Sequence, residues 1–273
     1  MTSKKRHGPG REVGAALERA WTAYDEGDLE GAMAEVSGVL RRDPRNPDAL
    51  LMRAACRLDE GDPEAALEDL EGAGQASDPA MAHLTRAMAL YDLARVAEAR
   101  AEVEQALQLE PEWCEAHYEL ARVLDHLGDE VGARRHYTRA HRIHPEEHPE
   151  PLEMSDAEFD RLVVEALAEL PDAVTRVLED VHVEVMARPS QAMLEGSELS
   201  PDLLGLFVGR NRLERRVDDV PGLPDAIYLF RRNLLRVCHD RDELAEQVRI
   251  TVQHEVAHLI GADEGTVDDW GLA

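Results

Sequence analysis

The run HEVAHLIGADEG, residues 254–265, places His254 and His258 four apart, with Glu255 directly after the first. On a helix that spacing stacks both imidazoles on one face, one turn apart. Two neutral imidazoles so placed can share one Zn2+ at about 2.0–2.1 Å. A carboxylate beside a zinc-activated water is a general base, taking the water's proton and returning it to a leaving amine. An HExxH string is expected by chance on the order of 0.07 times in a chain of this composition. Asking also for Gly261 and a carboxylate at position 264 lowers that to about 0.001. The chemistry open to these residues is hydrolysis, with His254 and His258 as metal ligands and Glu255 as the catalytic base.

A third ligand is expected within the 15 residues that follow His258. In the extended pattern HExxHxxGxxH, glycine lets the chain reverse out of the helix, so that the residue six positions after the second histidine swings back to the metal. Glu264 occupies that position, and a carboxylate oxygen is an acceptable zinc ligand. Asp263, Asp268 and Asp269 compete with it. No methionine follows His258, so the Met-turn that underlies such a site elsewhere is absent.

The elements that must position this helix begin at Ser155. SDAEFDRLVVEALAELP predicts an amphipathic helix with Ser155 as N-cap and Glu158 three positions on as its capping-box partner. DAVTRVLED predicts a short second helix. VHVEVMA, LLGLFVG and AIYLF read as strands by alternation or short apolar run. RRNLLRVC and DELAEQVRITVQHEVAHLIG read as helices, giving an α+β domain with a small sheet and the HExxH helix last. The segment GRNRLERR reads as a solvated loop. Across FDRLVVEALAELP, LLGLFVG, IYLFRRNLLRVC and EQVRITVQHEVAHLIGADE this half resembles the small bacterial zincin-like metallopeptidases, the minimal zincins. The resemblance implies an HExxHxxGxx(D/E) site with His254, His258 and Glu264 on zinc and Glu255 as base. Members often carry a histidine where this chain has Asp268, which leaves the third ligand between Glu264 and Asp268.

The first half is periodic at about 34 residues. Gly27-Asp28 recurs as Gly61-Asp62 and Gly128-Asp129, with Ala94-Arg95 in the equivalent slot; Ala32, Ala66, Ala99 and Ala133 stand five residues on. Each unit closes near a proline: Pro44, Pro79, Pro111 or Pro145. The pattern describes helical hairpins in which small residues sit at helix contacts, Gly-Asp makes the turn and proline ends the second helix. From Val13 to Pro145 it resembles the tetratricopeptide repeat (TPR). The resemblance implies an all-α solenoid whose concave surface holds a protein or peptide.

Formal charge is −27, spread over both halves, and such a field repels phosphate backbones and anionic lipid. Neither nucleic acid nor a membrane is an expected partner. No apolar run reaches the roughly 20 residues that span a bilayer, and a cytoplasmic, bacterial protein is expected. Cys56, Cys114 and Cys238 are scattered without a CxxC pair and read as buried free thiols. The expected organisation is a basic, disordered tail at 1–12, a solenoid of about four repeats at 13–146, a Pro/Glu-rich linker at 147–154, and a zincin-like domain at 155–273. The function this implies is a zinc-dependent metallopeptidase that captures a protein partner through its repeats. The rival reading is an interaction adaptor whose zincin-like domain is inactive or holds zinc structurally. A third is a toxin-like or regulatory protease whose cleft a partner completes.

Overall fold

The predicted hairpins form in sequence: α1 (Pro9–Asp25) with α2 (Leu29–Leu40), α3 (Pro47–Asp59) with α4 (Pro63–Gly72), α5 (Pro79–Asp92) with α6 (Val96–Leu109), and α7 (Cys114–His126) with α8 (Glu130–Ile143). The turn glycines Gly27, Gly61 and Gly128 adopt φ of +78°, +78° and +86°, a left-handed conformation that costs glycine nothing and side-chain-bearing residues about 1–2 kcal/mol. Asp28, Asp62 and Asp129 then cap the next helix, accepting from the backbone N–H of Gly31, Ala65 and Gly132 at 2.9, 3.0 and 2.9 Å. The Ala94-Arg95 slot departs on both counts. Ala94 sits at φ +56°, and Arg95 makes no cap, pairing instead with Glu98 through two bonds of 2.8 Å. Proline opens α3, α4 and α5, where its missing N–H costs nothing. Ala32, Ala66, Ala99 and Ala133 are fully buried, as hairpin contacts require.

The computed structural model describes residues 9–179, 181–197, 199–210, 216–217 and 226–260. The chain divides into two compact units, Met1–His144 and Pro145–Ala273. Helix α1 begins at Pro9, inside the segment expected to be a tail. All three cysteines are buried and free. Among the described residues no helix is long and apolar enough to cross a membrane.

The second unit opens with α9 (Asp156–Ala168), whose capping box between Ser155 and Glu158 is formed as predicted. Then follow α10 (Asp172–Leu178), β1 (His182–Met186), α11 (Gln191–Leu194), β2 (Gly205–Arg210), β3 (Arg216–Val217), β4 (Ala226–Phe230), α12 (Arg231–Val237) and α13 (Arg241–Ile260). Two elements were not predicted. QAML in α11 is too short to show a helical period, and β3 is a two-residue pairing at the end of the segment expected to be loop. The sheet order is β1-β4-β2-β3. β1 runs parallel to β4, while β2 pairs antiparallel with both β4 and β3.

β4 is buried along its whole length because both faces of the sheet are covered. Phe207, Ile227 and Leu229 point into one core with Phe159, Leu162, Leu234 and the inner side of α13. Leu206, Val208, Tyr228 and Phe230 point the other way, against Met193 of α11. Asn233 of α12 fixes the approach to β2, its buried side-chain N–H group donating to the carbonyls of Pro201 at 2.8 Å and Leu203 at 2.7 Å.

Candidate active site

Helix α13 shows little segregation of polar from apolar residues because its neighbours enclose most of it. Leu244, Val248, Val252, Val256 and Leu259 are buried in the core beside the sheet. Between Thr251 and Leu259 every residue is buried except His254 and His258. The helix therefore offers solvent one short stripe there, and that stripe is the imidazole pair.

The two rings meet edge to face, with centroids 4.6 Å apart and Nε2 atoms 3.0 Å apart. Two nitrogens bound to one cation at about 2.0–2.1 Å lie about 3.0 Å apart at a right angle and about 3.3 Å apart at the tetrahedral angle. The separation is thus already that of neighbouring ligands on one ion. The donor set, two exposed imidazole nitrogens on one face of a helix, fits zinc.

Glu255 takes a different direction. One residue along a helix is a rotation of about 100°, and that turns its side chain from the solvent stripe towards β2. It is 8% exposed, and its Oε2 accepts the backbone N–H of Phe207 at 2.8 Å. The β2–β4 register leaves that N–H available to α13. Phe230 donates to the Leu204 carbonyl at 2.9 Å, so the bonded antiparallel pairs continue through Leu206 and Val208, and Phe207 between them faces away from β4. The first residue of β2 makes this contact geometrically possible. A Cβ on Gly205 would lie 2.5 Å from Thr251 Cγ2, 3.2 Å from the Tyr228 carbonyl oxygen and 3.6 Å from Glu255 Cγ.

Gly205, Phe207 and Thr251 were not singled out from sequence. A signal for the first was present, since glycine inside an apolar strand-like run often marks a close backbone approach. The structure brings His254 and His258 together and sets Glu255 on the adjoining inward face of the same turn. Glu264, its competitors Asp263, Asp268 and Asp269, and Gly261 lie outside the described residues.

Comparison with known proteins accords with this architecture. The family described as zincin-like metallopeptidase matches residues 178–272. Two tetratricopeptide repeat families match residues 23–89 and 84–148. The chain therefore carries a tetratricopeptide array followed by a zincin-like domain. A search of curated proteins finds no match. Among solved structures the chain is similar to the MamA protein, at 25% identity over 50% of this chain and 75% of that one, with a TM-score of 0.40. It is similar to a thermophilic TPR protein of Thermus thermophilus, at 19% identity over 61% and 90%, with a TM-score of 0.45. It is also similar to YrrB, described as a TPR protein with an unusual peptide-binding site, at 18% identity over 48% and 68%, with a TM-score of 0.39.

Proposed function

We propose that the second unit is a zinc-dependent peptidase and that the repeat array of the first unit holds a protein or peptide. The observation that carries the reading is the 3.0 Å separation of the His254 and His258 Nε2 atoms on the exposed stripe of an otherwise buried helix. These two residues would hold Zn2+, with Glu264 proposed as third ligand and Asp268 as its competitor. When bound, Zn2+ supplies Lewis acidity, polarising a scissile carbonyl and making water acidic enough to ionise near neutral pH. Glu255 receives the proton of the attacking water and delivers it to the leaving amine. The Phe207 N–H holds one oxygen of that carboxylate at 2.8 Å. Repeat arrays present long surfaces suited to peptide segments, and that supports the proposed division of labour.

A second reading has its own observation. Glu255 is buried and bonded to the backbone of β2, which a purely structural carboxylate in an inactive zincin-like adaptor would also be. The substitution Glu255→Gln separates the two. In a peptidase it retains the zinc that is lost when His254 and His258 are both replaced by alanine, and it lowers hydrolysis of a peptide library by about 10²–10⁴-fold. Zinc analysis of the purified chain with mass-spectrometric detection of cleaved peptides provides the test. Below about one-tenth of a zinc per chain depending on His254 and His258 after zinc-replete expression, the peptidase reading fails. Unchanged cleavage by Glu255→Gln would overturn the assigned base.

A further inference from the structure

The repeat array contains a second pair of imidazoles at metal-ligand spacing, remote in sequence from α13. His117 lies on α7 and His136 on α8. Their Nδ1 atoms are 3.0 Å apart, with ring centroids at 5.1 Å and planes tilted by 43°.

The hydrogen bonds determine which nitrogen carries each proton. His117 Nε2 lies 3.0 Å from the Pro111 carbonyl oxygen, and a carbonyl can only accept, so Nε2 is the protonated nitrogen of His117. Its Nδ1 is then a lone pair, and in the metal-free pair His136 donates its Nδ1–H to it. Burial is the main cause lowering the pKa of both rings. For His117 the Pro111 carbonyl opposes that shift, Arg139 adds to it and Glu112 opposes it. For His136 the neighbouring His117 and Arg135 add to it, while Glu104 and Asp129 oppose it. The rings are therefore neutral at neutral pH, the form that binds metal.

The arrangement at His117 is that of a ligating histidine, in which one nitrogen is bonded to a backbone carbonyl and the other is aimed at the ion. The pair lies in an open surface depression of about 400 Å³ lined also by Glu104, Gln108, Leu107, Pro111 and Leu120. Glu104 and Gln108 stand one turn apart on α6 and bring oxygen donors to the same space; Glu104 Oε1 accepts from Arg100 Nε at 2.8 Å.

We propose that His117 and His136 are the nitrogen ligands of a second divalent-cation site, for Zn2+ or a cation of similar softness, with Glu104 turning in to contribute an oxygen. Binding replaces the N–H···N bond. His136 moves its proton from Nδ1 to Nε2, both Nδ1 lone pairs turn to the ion, and their separation opens from 3.0 Å by about 0.3–0.4 Å to reach tetrahedral geometry. The ion then cross-links the two helices of the last hairpin, and stabilises them in proportion to the logarithm of its concentration over Kd.

The test uses the full chain carrying His254→Ala and His258→Ala, which silences the exposed pair of α13, with Zn2+ as the only added ligand. Calorimetric titration is expected to show about one equivalent bound, falling at least about tenfold in affinity when His117→Ala or His136→Ala is added. A measurement that needs no variant in the hairpin accompanies it. In the unsubstituted chain, Zn2+ is expected to slow diethyl pyrocarbonate modification of His117 and His136 by about tenfold or more, mapped by mass spectrometry. Absence of Zn2+ binding, binding that survives both substitutions, or modification rates unchanged by Zn2+ would each overturn the site and leave the pair as a metal-free hydrogen bond.

Discussion

Gly205→Ala tests whether the close approach of β2 to α13 positions Glu255. The new Cβ would stand 2.5 Å from Thr251 Cγ2, about 1 Å inside the 3.5–4.0 Å optimum for carbon atoms. Thr251 cannot simply turn away without a cost, since its hydroxyl donates to the Gln247 carbonyl at 2.8 Å. The same Cβ would also stand 3.2 Å from the Tyr228 carbonyl oxygen, so any shift of the strand must clear β4 as well as α13. A retreat of α13 by about 1 Å would stretch the 2.8 Å bond from the Phe207 N–H to Glu255 beyond hydrogen-bonding range. Overpacking costs about 1–3 kcal/mol, and loosening the buried bond to the Glu255 carboxyl adds about 1–3 kcal/mol; a net loss of about 2–6 kcal/mol is expected. Thr251→Ser removes the obstructing methyl and keeps the hydroxyl, costing about 1 kcal/mol alone. Combined with Gly205→Ala it should restore at least about 1 kcal/mol. Amide hydrogen exchange across β2 and α13 reads this locally, where about 1.4 kcal/mol is a tenfold change in protection. Strictly additive effects of the two substitutions, or full protection of the Phe207 amide in Gly205→Ala, would refute the reasoning.

Ala94→Gly should raise the stability of the repeat array by about 0.5–1 kcal/mol. It relieves the left-handed strain at φ +56° while paying glycine's chain entropy, and scanning calorimetry of the full chain checks it. Gly61→Ala, at φ +78°, should do the reverse by about 1 kcal/mol. Burial, aided by nearby carboxylates, pushes the thiols of Cys56 and Cys238 up to about 11, and burial with the Glu115 side chain takes Cys114 to about 12. The thiolate is the nucleophile, so iodoacetamide at pH 8 should leave all three unmodified in the native chain and alkylate all three after denaturation. Rapid labelling of any one in the native chain would contradict its burial.

The repeat was legible because it is written four times and each copy obeys local rules. A glycine with positive φ, an aspartate accepting from the N–H three residues on, and an alanine at the crossing can each be assigned without knowing the rest of the fold. That Ala94-Arg95 stands in the Gly-Asp slot was visible in the sequence; that the turn there is strained and the cap missing came from the structure. In the second unit, local signals predicted the long helices and three strands, and missed α11 and β3, which exist only through tertiary contacts. Met193 is held against the outer face of the sheet, and Arg216–Val217 pairs with the end of β2.

The histidine spacing carried its geometry directly, because i and i+4 on a helix fix two side chains to one face whatever surrounds them. The direction of Glu255 was not available in the same way. HExxH places a carboxylate one residue from the first ligand, but whether it faces solvent or a neighbouring strand depends on what packs there. That neighbour is β2, 48 residues earlier in the chain. The contact requires two further things: a register that turns the Phe207 N–H away from β4, and a residue without a side chain at 205. The same gap hid the His117–His136 pair, 19 residues apart on different helices, which no helical period relates. Chemistry borne by one element can be read from spacing, whereas chemistry assembled across two needs the packing that joins them. Glu255 is the residue on which both kinds of constraint act, one through the helix and one through the strand. Its orientation therefore depends as much on the small residue at 205 as on the motif that contains it.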